Sequence, residues 1–344
     1  MKNILVTGGA GYIGSHVCKE LAARGYQPIT YDNLVNGHRS AVRWGPFEHG
    51  DVRDRRRLDE VISRYRPQAV MHFAAYAYVG ESVADPGKYY NNNVAGSLVL
   101  LEAMIAQSVK RLIFSSSCAT YGNPDTVPIS ESGAQRPINP YGMSKLVVER
   151  ILSDFEIAHG LQWMALRYFN AAGADPDNEI GEDHDLETRI IPLVLVAADQ
   201  QAEPVTVFGS DYDTPDGTCI RDYIHVTDLA DAHVKALDAL FAGEASQALN
   251  LGTGAGCSVM QVIQAVQAAT GLDVPYRSGA RREGDPAMLV ADPSRARTVL
   301  NWQPSHSSIG EIVDTAWRWH LKKKARRLGS HLLLPEKRSS KAFH

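Results

Sequence analysis

The first predicted turn of the chain reads Thr7-Gly8-Gly9-Ala10-Gly11-Tyr12-Ile13-Gly14, and this segment specifies the fold class. It follows the apolar run Ile4-Leu5-Val6 and leads into apolar residues at helical spacing, so it predicts a strand, a tight turn and a helix. Because glycine lacks a Cβ atom, the backbone N–H groups that open the helix can approach a diphosphate. The segment therefore predicts an α/β fold with a doubly wound parallel sheet that binds a dinucleotide.

The second predicted strand ends in an acidic residue. Asp32 lies 18 residues after Gly14, at the position where a carboxylate accepts hydrogen bonds from the adenosine ribose. A 2′-phosphate would be repelled there, so the sequence favours NAD over NADP; the alternative is that Asp32 only caps the following loop. Asp51 and Val52 follow a third possible strand and are candidates to flank the adenine, although Asp51 also fits an ordinary turn.

Tyr141 and Lys145 lie four residues apart in a segment that is typical of a helix, which places both side chains on one face. A free phenol has a pKa of about 10, and a neighbouring cation favours its ionised form. An isolated pair of this kind also fits a solvated helix surface. The strand Arg111–Phe114 ends in the hydroxyl side chains Ser115–Ser117, at the sheet edge where ligands bind in open α/β folds. A hydroxyl, a phenol and an ammonium are therefore predicted to meet over a nicotinamide.

Composition excludes several other classes. The 344 residues are 44% hydrophobic, and 35 Lys+Arg against 39 Asp+Glu give a net charge of −4, so no general basic surface for nucleic acid is expected. The four cysteines have no metal-ligand spacing, which predicts no metal site, and no apolar run has the length of a membrane helix. We expect a cytoplasmic protein that acts on a small molecule.

The chain resembles the extended short-chain dehydrogenases/reductases and, within them, the UDP-glucose 4-epimerases, over roughly residues 1 to 320. The motifs that carry this resemblance are Gly8-Gly9-Ala10-Gly11-Tyr12-Ile13-Gly14-Ser15-His16, Tyr31-Asp32-Asn33-Leu34, Val79-Gly80-Glu81-Ser82, Ser115-Ser116-Ser117, Tyr141 with Lys145, Arg167-Tyr168-Phe169-Asn170 and Arg221-Asp222-Tyr223-Ile224-His225-Val226. The resemblance implies a Rossmann fold with a smaller substrate-binding domain, NAD as cofactor, a UDP-sugar as substrate, and a homodimer.

The resemblance also implies individual roles. Tyr141 is expected to be the catalytic base, with Lys145 lowering its pKa and Ser117 binding the sugar hydroxyl. The residues expected to contact the cofactor are Gly8, Gly11, Tyr12, Ile13, Gly14, Asp32, Asn33, Asp51, Val52, Phe73, Ala74, Asn92, Ser115, Tyr141, Lys145 and Tyr168. Those expected to contact the substrate are Ser117, Tyr141, Asn170, Phe208, Arg221, Arg282 and Asp285.

Two positions depart from the family pattern. Ala77 stands where the epimerases usually carry a lysine that contacts the cofactor, and Glu187-Thr188-Arg189 replaces a stretch that is often rich in asparagine. Both, together with Cys118 after the serines, also resemble UDP-xylose/UDP-arabinose 4-epimerases. A sugar-nucleotide dehydratase is a more remote alternative, because its additional acid and base are replaced here by Cys118-Ala119. A UDP-glucuronate decarboxylase also fits the fold, whereas a non-enzymatic NAD sensor would be free to lose Tyr141 or Lys145.

The predicted domain boundaries are a cofactor domain at 1–172, to which segments around 220–252 return, and a UDP-sugar domain at 173–330. A tail is predicted at 331–344. Phe208 fits either a stacking surface for uracil or the core of the smaller domain. The helix predicted from Asn92 to Ile105 gives Asn92 two possible roles, a helix cap or a cofactor contact.

Overall fold

The computed structural model describes residues 1–184, 187–199, 203–282 and 284–331, with side chains described as far as residue 326. Residue 331 is the last described residue, so the rest of the predicted tail at 331–344 lies outside the described residues. No helix in the part of the chain that the structure describes is both long and apolar enough to cross a membrane.

The architecture is that of a doubly wound α/β protein, as predicted. Within the described residues, the strands are β1 Asn3–Thr7, β2 Gln27–Asp32, β3 Phe47–His49, β4 Ala69–His72, β5 Arg111–Ser117, β6 Gln162–Tyr168, β7 Asn170–Ala172, β8 Val205–Phe208, β9 Ile220–Arg221, β10 Tyr223–His225, β11 Gln247–Leu251, β12 Cys257–Ser258, β13 Tyr276–Gly279 and β14 Met288–Leu289. The α-helices are α1 Tyr12–Ala23, α2 Arg55–Tyr65, α3 Val79–Ala84, α4 Pro86–Tyr89, α5 Gly96–Ala106, α6 Pro140–His159, α7 Ile190–Ala198, α8 Val226–Phe241, α9 Val259–Thr270, α10 Ser294–Leu300 and α11 Ile309–His331.

Seven strands form one parallel sheet in the order β11-β6-β5-β4-β1-β2-β3. The strand order reverses beside β1, so the carboxyl ends of β1 and β4 border a crevice, which is where such sheets bind ligands. Residues of α1 and α8 belong to the apolar core on one face, and residues of α2, α5 and α6 belong to the core on the other. The strand β11 joins this sheet although it follows several elements of the second half.

Helix α6 has clear sequence signals at both ends. The Asn139 side chain accepts a hydrogen bond from the Gly142 backbone N–H at 2.8 Å, and Pro140 occupies the first turn. Gly160 ends the helix in the left-handed conformation with φ of +67°. These signals fix the register in which Tyr141 and Lys145 face the sheet.

A third core is formed by residues of α7, α9 and α11 together with β8. The strand β8 pairs with β13, and β9 lies between β12 and β14. These short elements lie beside the carboxyl ends of the large sheet and supply the second wall of the site.

The predicted helix start at Asn92 is wrong. The helical segment begins earlier, at Pro86, where the Asp85 side chain accepts a hydrogen bond from the Lys88 backbone N–H at 3.1 Å. Asn92 lies inside a π-helical stretch, Tyr90–Ala95, that leads directly into α5. Its side chain donates to Asn93 rather than capping a helix.

Candidate active site

The glycine turn after β1 is built for close approach of backbone to backbone. Gly8 has φ of +74°, and a Cβ atom there would lie 2.6 Å from the Ala74 backbone nitrogen. A Cβ atom at Gly14 would lie 2.3 Å from the Gly8 carbonyl oxygen. Around Gly11, by contrast, the only close atom within 4 Å is the Gly8 carbonyl oxygen, at 3.3 Å. The turn therefore packs tightly at Gly8 and Gly14, whereas the space beside Gly11 and the α1 N-terminus is open. An open helix N-terminus of this kind fits the diphosphate of a dinucleotide.

Asp32 ends β2 beside this turn. One carboxylate oxygen accepts the Ala10 backbone N–H at 3.0 Å, and the other accepts the Leu34 backbone N–H at 2.8 Å. Burial raises the pKa of Asp32, and the two backbone hydrogen bonds oppose that rise. The carboxylate thus caps its loop and lines the crevice at once, so the two interpretations of Asp32 are compatible.

Asp51 is oriented differently from the other predicted cofactor contacts. Its carboxylate accepts hydrogen bonds from Arg53 Nε and Nη2, each at 2.8 Å, and from Asn33 Nδ2 at 3.0 Å. The Arg53 guanidinium holds the pKa of Asp51 well below its usual range. Asp51 does not line the cavity, whereas its neighbours Gly50 and Val52 do.

Ser117, Tyr141 and Lys145 converge at the carboxyl end of β5. The Ser117 hydroxyl lies near the Tyr141 phenol and favours its ionised form, so the connection between them folds back over the strand. Lys145 is buried, and its Nζ donates to the Ser115 carbonyl oxygen at 2.7 Å. The same Nζ lies 5.9 Å from the centroid of the Tyr141 ring. Tyr168 completes the group through a short hydrogen bond with the Ser115 hydroxyl.

The protonation of this group is governed by burial. Burial raises the pKa of Tyr141, and the nearby Ser117 hydroxyl is the largest opposing effect. Burial also lowers the pKa of Lys145 to about 7. Lys145 is expected to lower the pKa of Tyr141, but burial outweighs that effect in this structure. The same dry surroundings also destabilise the ammonium form of Lys145.

One cavity of about 1390 Å³ joins these features. The predicted residues that line it are Gly8, Gly11, Tyr12, Ile13, Gly14, Asp32, Asn33, Val52, Phe73, Ala74, Asn92, Ser115, Ser117, Tyr141, Lys145, Tyr168, Asn170, Phe208, Arg221, Arg282 and Asp285. The cavity runs from the glycine turn, past Tyr141, to the short strands of the second half. It has room for a dinucleotide and a second nucleotide-sized molecule.

The far wall of the cavity carries two guanidinium groups. Arg221, on β9, forms a short ion pair with Asp285, and its Nη1 donates to the Ile220 carbonyl oxygen at 2.7 Å. Arg282 lies over the Phe208 ring, with its Cζ 4.1 Å from the centroid. The Phe208 side chain is partly exposed and faces the cavity, so it is not a core residue.

The two departures from the family pattern also line this cavity. Ala77 offers no charge, while the Arg189 guanidinium lies 5.5 Å from the centroid of the Tyr12 ring. Arg189 Nη1 is 2.7 Å from a carboxylate oxygen of Glu182, which is buried. Sequence reasoning noted Arg189 but missed this ion pair, because no sequence pattern links Arg189 to Glu182.

It also missed the buried ion pair between Glu149 and Arg167 behind the site. Arg167 Nη2 lies 2.5 Å from Glu149 Oε2, and both side chains are at most 6% exposed. A signal was present, since Glu149 is an acidic residue four positions after Lys145 on the sheet-facing side of α6. Arg167 is likewise a charge inside an otherwise apolar strand.

Comparisons with known proteins identify the family of the chain. The model of the NAD dependent epimerase/dehydratase family matches residues 4–252. The UDP-glucose 4-epimerase of Rhizobium meliloti (strain 1021) is 54% identical over 318 residues, which are 92% of this chain and 97% of that protein.

Solved structures give the same result. The UDP-glucose 4-epimerase from Brucella ovis in complex with NAD has a TM-score of 0.91 and 54% identity, and the match covers 92% of this chain and 98% of that one. The enzyme from Stenotrophomonas maltophila, with bound NAD and formylated UDP-arabinopyranose, has a TM-score of 0.92 and 41% identity, covering 95% and 100% of the two chains. The chain therefore belongs to the NAD dependent epimerase/dehydratase family.

Proposed function

We propose that this protein catalyses the reversible, NAD-dependent epimerisation of a UDP-sugar at C4, with UDP-glucose and UDP-galactose as its substrates. The observation that carries the proposal is the meeting of Ser117, Tyr141 and Lys145 in the cavity that also contains the glycine turn. A proton acceptor is thereby placed between a dinucleotide site and a second, guanidinium-bearing site.

Tyr141 takes the proton of the sugar 4-hydroxyl and returns it after the sugar has turned over. Ser117 binds the same hydroxyl and orients it toward the phenol oxygen. Lys145, fixed by the Ser115 carbonyl oxygen, keeps a positive charge beside the phenol so that the phenolate is stabilised when it forms. When bound, NAD supplies a reversible hydride acceptor for C4. Because burial excludes water from this group, the 4-keto sugar is protected from side reactions with water between its oxidation and its reduction.

The remaining residues bind and orient. The open front of the glycine turn at Gly11 and the α1 N-terminus receive the cofactor diphosphate, and Asp32 receives the adenosine ribose. Backbone at Val52, together with Phe73, Asn92 and Tyr168, lines the rest of the cofactor site. Asp51 is the weakest of the proposed contacts because Arg53 already occupies its carboxylate.

On the substrate side, Arg221 and Arg282 bind the UDP diphosphate, which a planar guanidinium can hold with two parallel hydrogen bonds. Phe208 stacks on the uracil, while Asp285 and Asn170 bind the ribose and the phosphate-linked sugar. The keto sugar remains anchored by its nucleotide while its ring presents either face to the cofactor.

A second candidate is the 4-epimerisation of UDP-xylose and UDP-arabinose. It is favoured by Cys118 beside the catalytic serine and by the UDP-pentose derivative bound in the Stenotrophomonas maltophila structure. A pentose lacks the C6 hydroxymethyl group, so the same proton transfer at C4 requires no new residue.

We further propose a cytoplasmic homodimer. Leu98 on α5 and Met143 on α6 are each more than a third exposed, on two helices that cover one face of the sheet. A second copy packing on these helices would bury them. The four cysteines are unpaired, which suits a reducing compartment. Light scattering of the purified protein should give about twice the chain mass of 37.6 kDa.

The test of activity is direct. The purified protein is incubated separately with UDP-glucose, UDP-xylose and UDP-N-acetylglucosamine, without added reductant, and the products are followed by proton NMR. Formation of UDP-galactose from UDP-glucose at the highest kcat/KM supports the first candidate. Preference for UDP-xylose supports the second, and the absence of any C4 epimer rejects both.

A further inference from the structure

Helix α6 presents a repeating polar face to strand β5. Tyr141, Lys145 and Glu149 follow one another at four-residue spacing, so their side chains lie in one row. The segment Ser115–Ser117 meets this row. Its first carbonyl oxygen accepts from Lys145 at 2.7 Å, its second hydroxyl donates to Glu149 Oε1 at 2.5 Å, and its third hydroxyl lies near the Tyr141 phenol. Helix α6 is therefore tied to the sheet at two successive residues, Ser115 and Ser116.

Glu149 is buried and fully engaged. Arg167 Nε donates to its Oε1 at 2.9 Å, and Nη2 donates to its Oε2 at 2.5 Å. Gln135 Nε2 adds a third donor at 3.1 Å. Arg167 lies on β6 directly opposite Ser116, which also binds this carboxylate. Burial of an ion pair is expensive unless its hydrogen-bonding groups are satisfied, and here several donors satisfy the carboxylate.

The network continues toward the substrate wall, the side of the cavity that carries Arg221 and Arg282. Arg167 Nη1 donates to the Tyr121 hydroxyl at 2.9 Å, and that hydroxyl donates to Asn250 Oδ1 at 2.7 Å. Asn250 Nδ2 in turn donates to the Ile129 carbonyl oxygen at 2.8 Å. Ile129 pairs with the backbone of Val290, the residue after a cavity-lining leucine. The row on α6 is thus connected to both walls of the cavity.

We propose that Glu149 is the positioning residue for Lys145: its carboxylate, bound to Ser116 and Arg167, fixes helix α6 against β5, and its negative charge, one helical turn from Lys145, favours the ammonium form of that side chain. The importance of that ammonium for turnover rests on the function proposed above. A lysine in such dry surroundings loses its proton readily unless a negative charge lies nearby. Glu149 is the charged group that opposes the effect of burial on the pKa of Lys145.

The surroundings of Lys145 contain few other charges. His72 on β4 is buried and hydrogen-bonded to two hydroxyls, and its pKa is lowered to about 3, so it is neutral near pH 7. Arg167 on β6 is bound to Glu149 itself. Among the described residues, the titratable and charged groups that act on Lys145 or on its neighbours are Tyr141, Glu149, His72, Arg167, Tyr168, Cys118 and Arg189.

The test measures the protonation of Lys145 directly. The NAD-bound protein is prepared with ¹³C-labelled lysine, and the Lys145 ¹³Cε signal, assigned by its loss in Lys145→Arg, is followed from pH 5 to pH 10 without substrate. In Glu149→Gln the titration midpoint should fall by about one pH unit or more, because a neighbouring negative charge has been removed. Glu156→Gln removes a carboxylate from the same helix, where it bonds Trp163, and should leave the midpoint unchanged.

A second variant covers the case in which Glu149→Gln does not fold, because Arg167 is then buried without its partner. In Glu149→Gln/Arg167→Gln both charges are removed, and the Lys145 midpoint should still fall, by less than in the single variant, because loss of the Arg167 positive charge acts in the opposite direction. The alkaline limb of the kcat/KM profile for the UDP-sugar should move in the same direction, to lower pH. A purely structural role for Glu149 would change thermal stability without moving either quantity.

The outcomes separate the two proposals. An unchanged Lys145 midpoint in whichever variant folds overturns the positioning role of Glu149, whatever the activity of the wild type. A lowered midpoint in a protein that epimerises no UDP-sugar supports the positioning role and rejects the proposed function.

Discussion

The two walls of the cavity are built on different principles. On the cofactor side, the charged and hydroxyl groups of β5 and α6 are buried and bonded to one another, as in the ion pair of Glu149 and Arg167. On the substrate side, Arg221 contacts Asp285 and the Ile220 carbonyl oxygen, Arg282 lies over the Phe208 ring, and both guanidinium groups line the cavity. A reaction that needs a fixed proton acceptor and a turning sugar suits this contrast, since one wall is preorganised and the other accommodates a guest.

Removal of the Tyr141 hydroxyl is the sharpest way to break the preorganised wall. Tyr141→Phe should lower kcat by about 10²- to 10⁴-fold, because the proton acceptor of the reaction is lost while the ring still packs. Bound NAD, measured from the ultraviolet spectrum of the purified protein, should be unchanged. Tyr65→Phe removes a phenol that donates to Glu48 at the other end of the sheet and serves as the control. Near-normal turnover of Tyr141→Phe would refute the role of this residue.

Removing one charge from the same wall should destabilise the folded protein. Arg167→Met leaves Glu149 buried without its guanidinium, and we expect the free energy of unfolding in urea to fall by about 3–5 kcal/mol. The matched double variant Glu149→Met/Arg167→Met removes both charges and should regain much of that loss. If the double variant were as unstable as the single one, packing rather than the unpaired charge would be the cause.

The same contrast explains how much the sequence reveals. Local signals sufficed for the first strand, the glycine turn and helix α1, and for the helical spacing of Tyr141 and Lys145, because each depends on residues close together in the chain. They failed at Asn92, where Asp85 and Pro86 start the helix earlier and a π-helical stretch removes the need for a cap. The pairing of Glu182 with Arg189 was beyond reach, since no local sequence pattern indicates which carboxylate a given arginine contacts.

The substrate wall should respond in binding rather than in chemistry. Arg221→Met should raise KM for the UDP-sugar by roughly 10- to 100-fold, the equivalent of one charge-assisted hydrogen bond, with a small change in kcat. Arg221→Lys keeps the charge but loses the planar fork, so its KM should lie between those of the two proteins. A fall in kcat at unchanged KM would instead place Arg221 in the chemical step.

The smallest expected effect comes from comparing two adjacent arginines, one at the substrate wall and one beside it. Arg282 faces the cavity over Phe208, so Arg282→Met should raise KM by about two- to fivefold, as expected for loss of an exposed cation–π contact near a bound anion. Arg281 does not line the cavity; it pairs with Asp211, and the two side chains are 45% and 73% exposed. Arg281→Met should therefore leave both KM and the unfolding midpoint unchanged, because water screens the pair.

Equal effects of the two substitutions would show that general charge, and not the placement of Arg282, attracts the substrate. Repeating the comparison at high salt separates these cases, since a general electrostatic effect fades with ionic strength whereas a direct contact in the cavity persists.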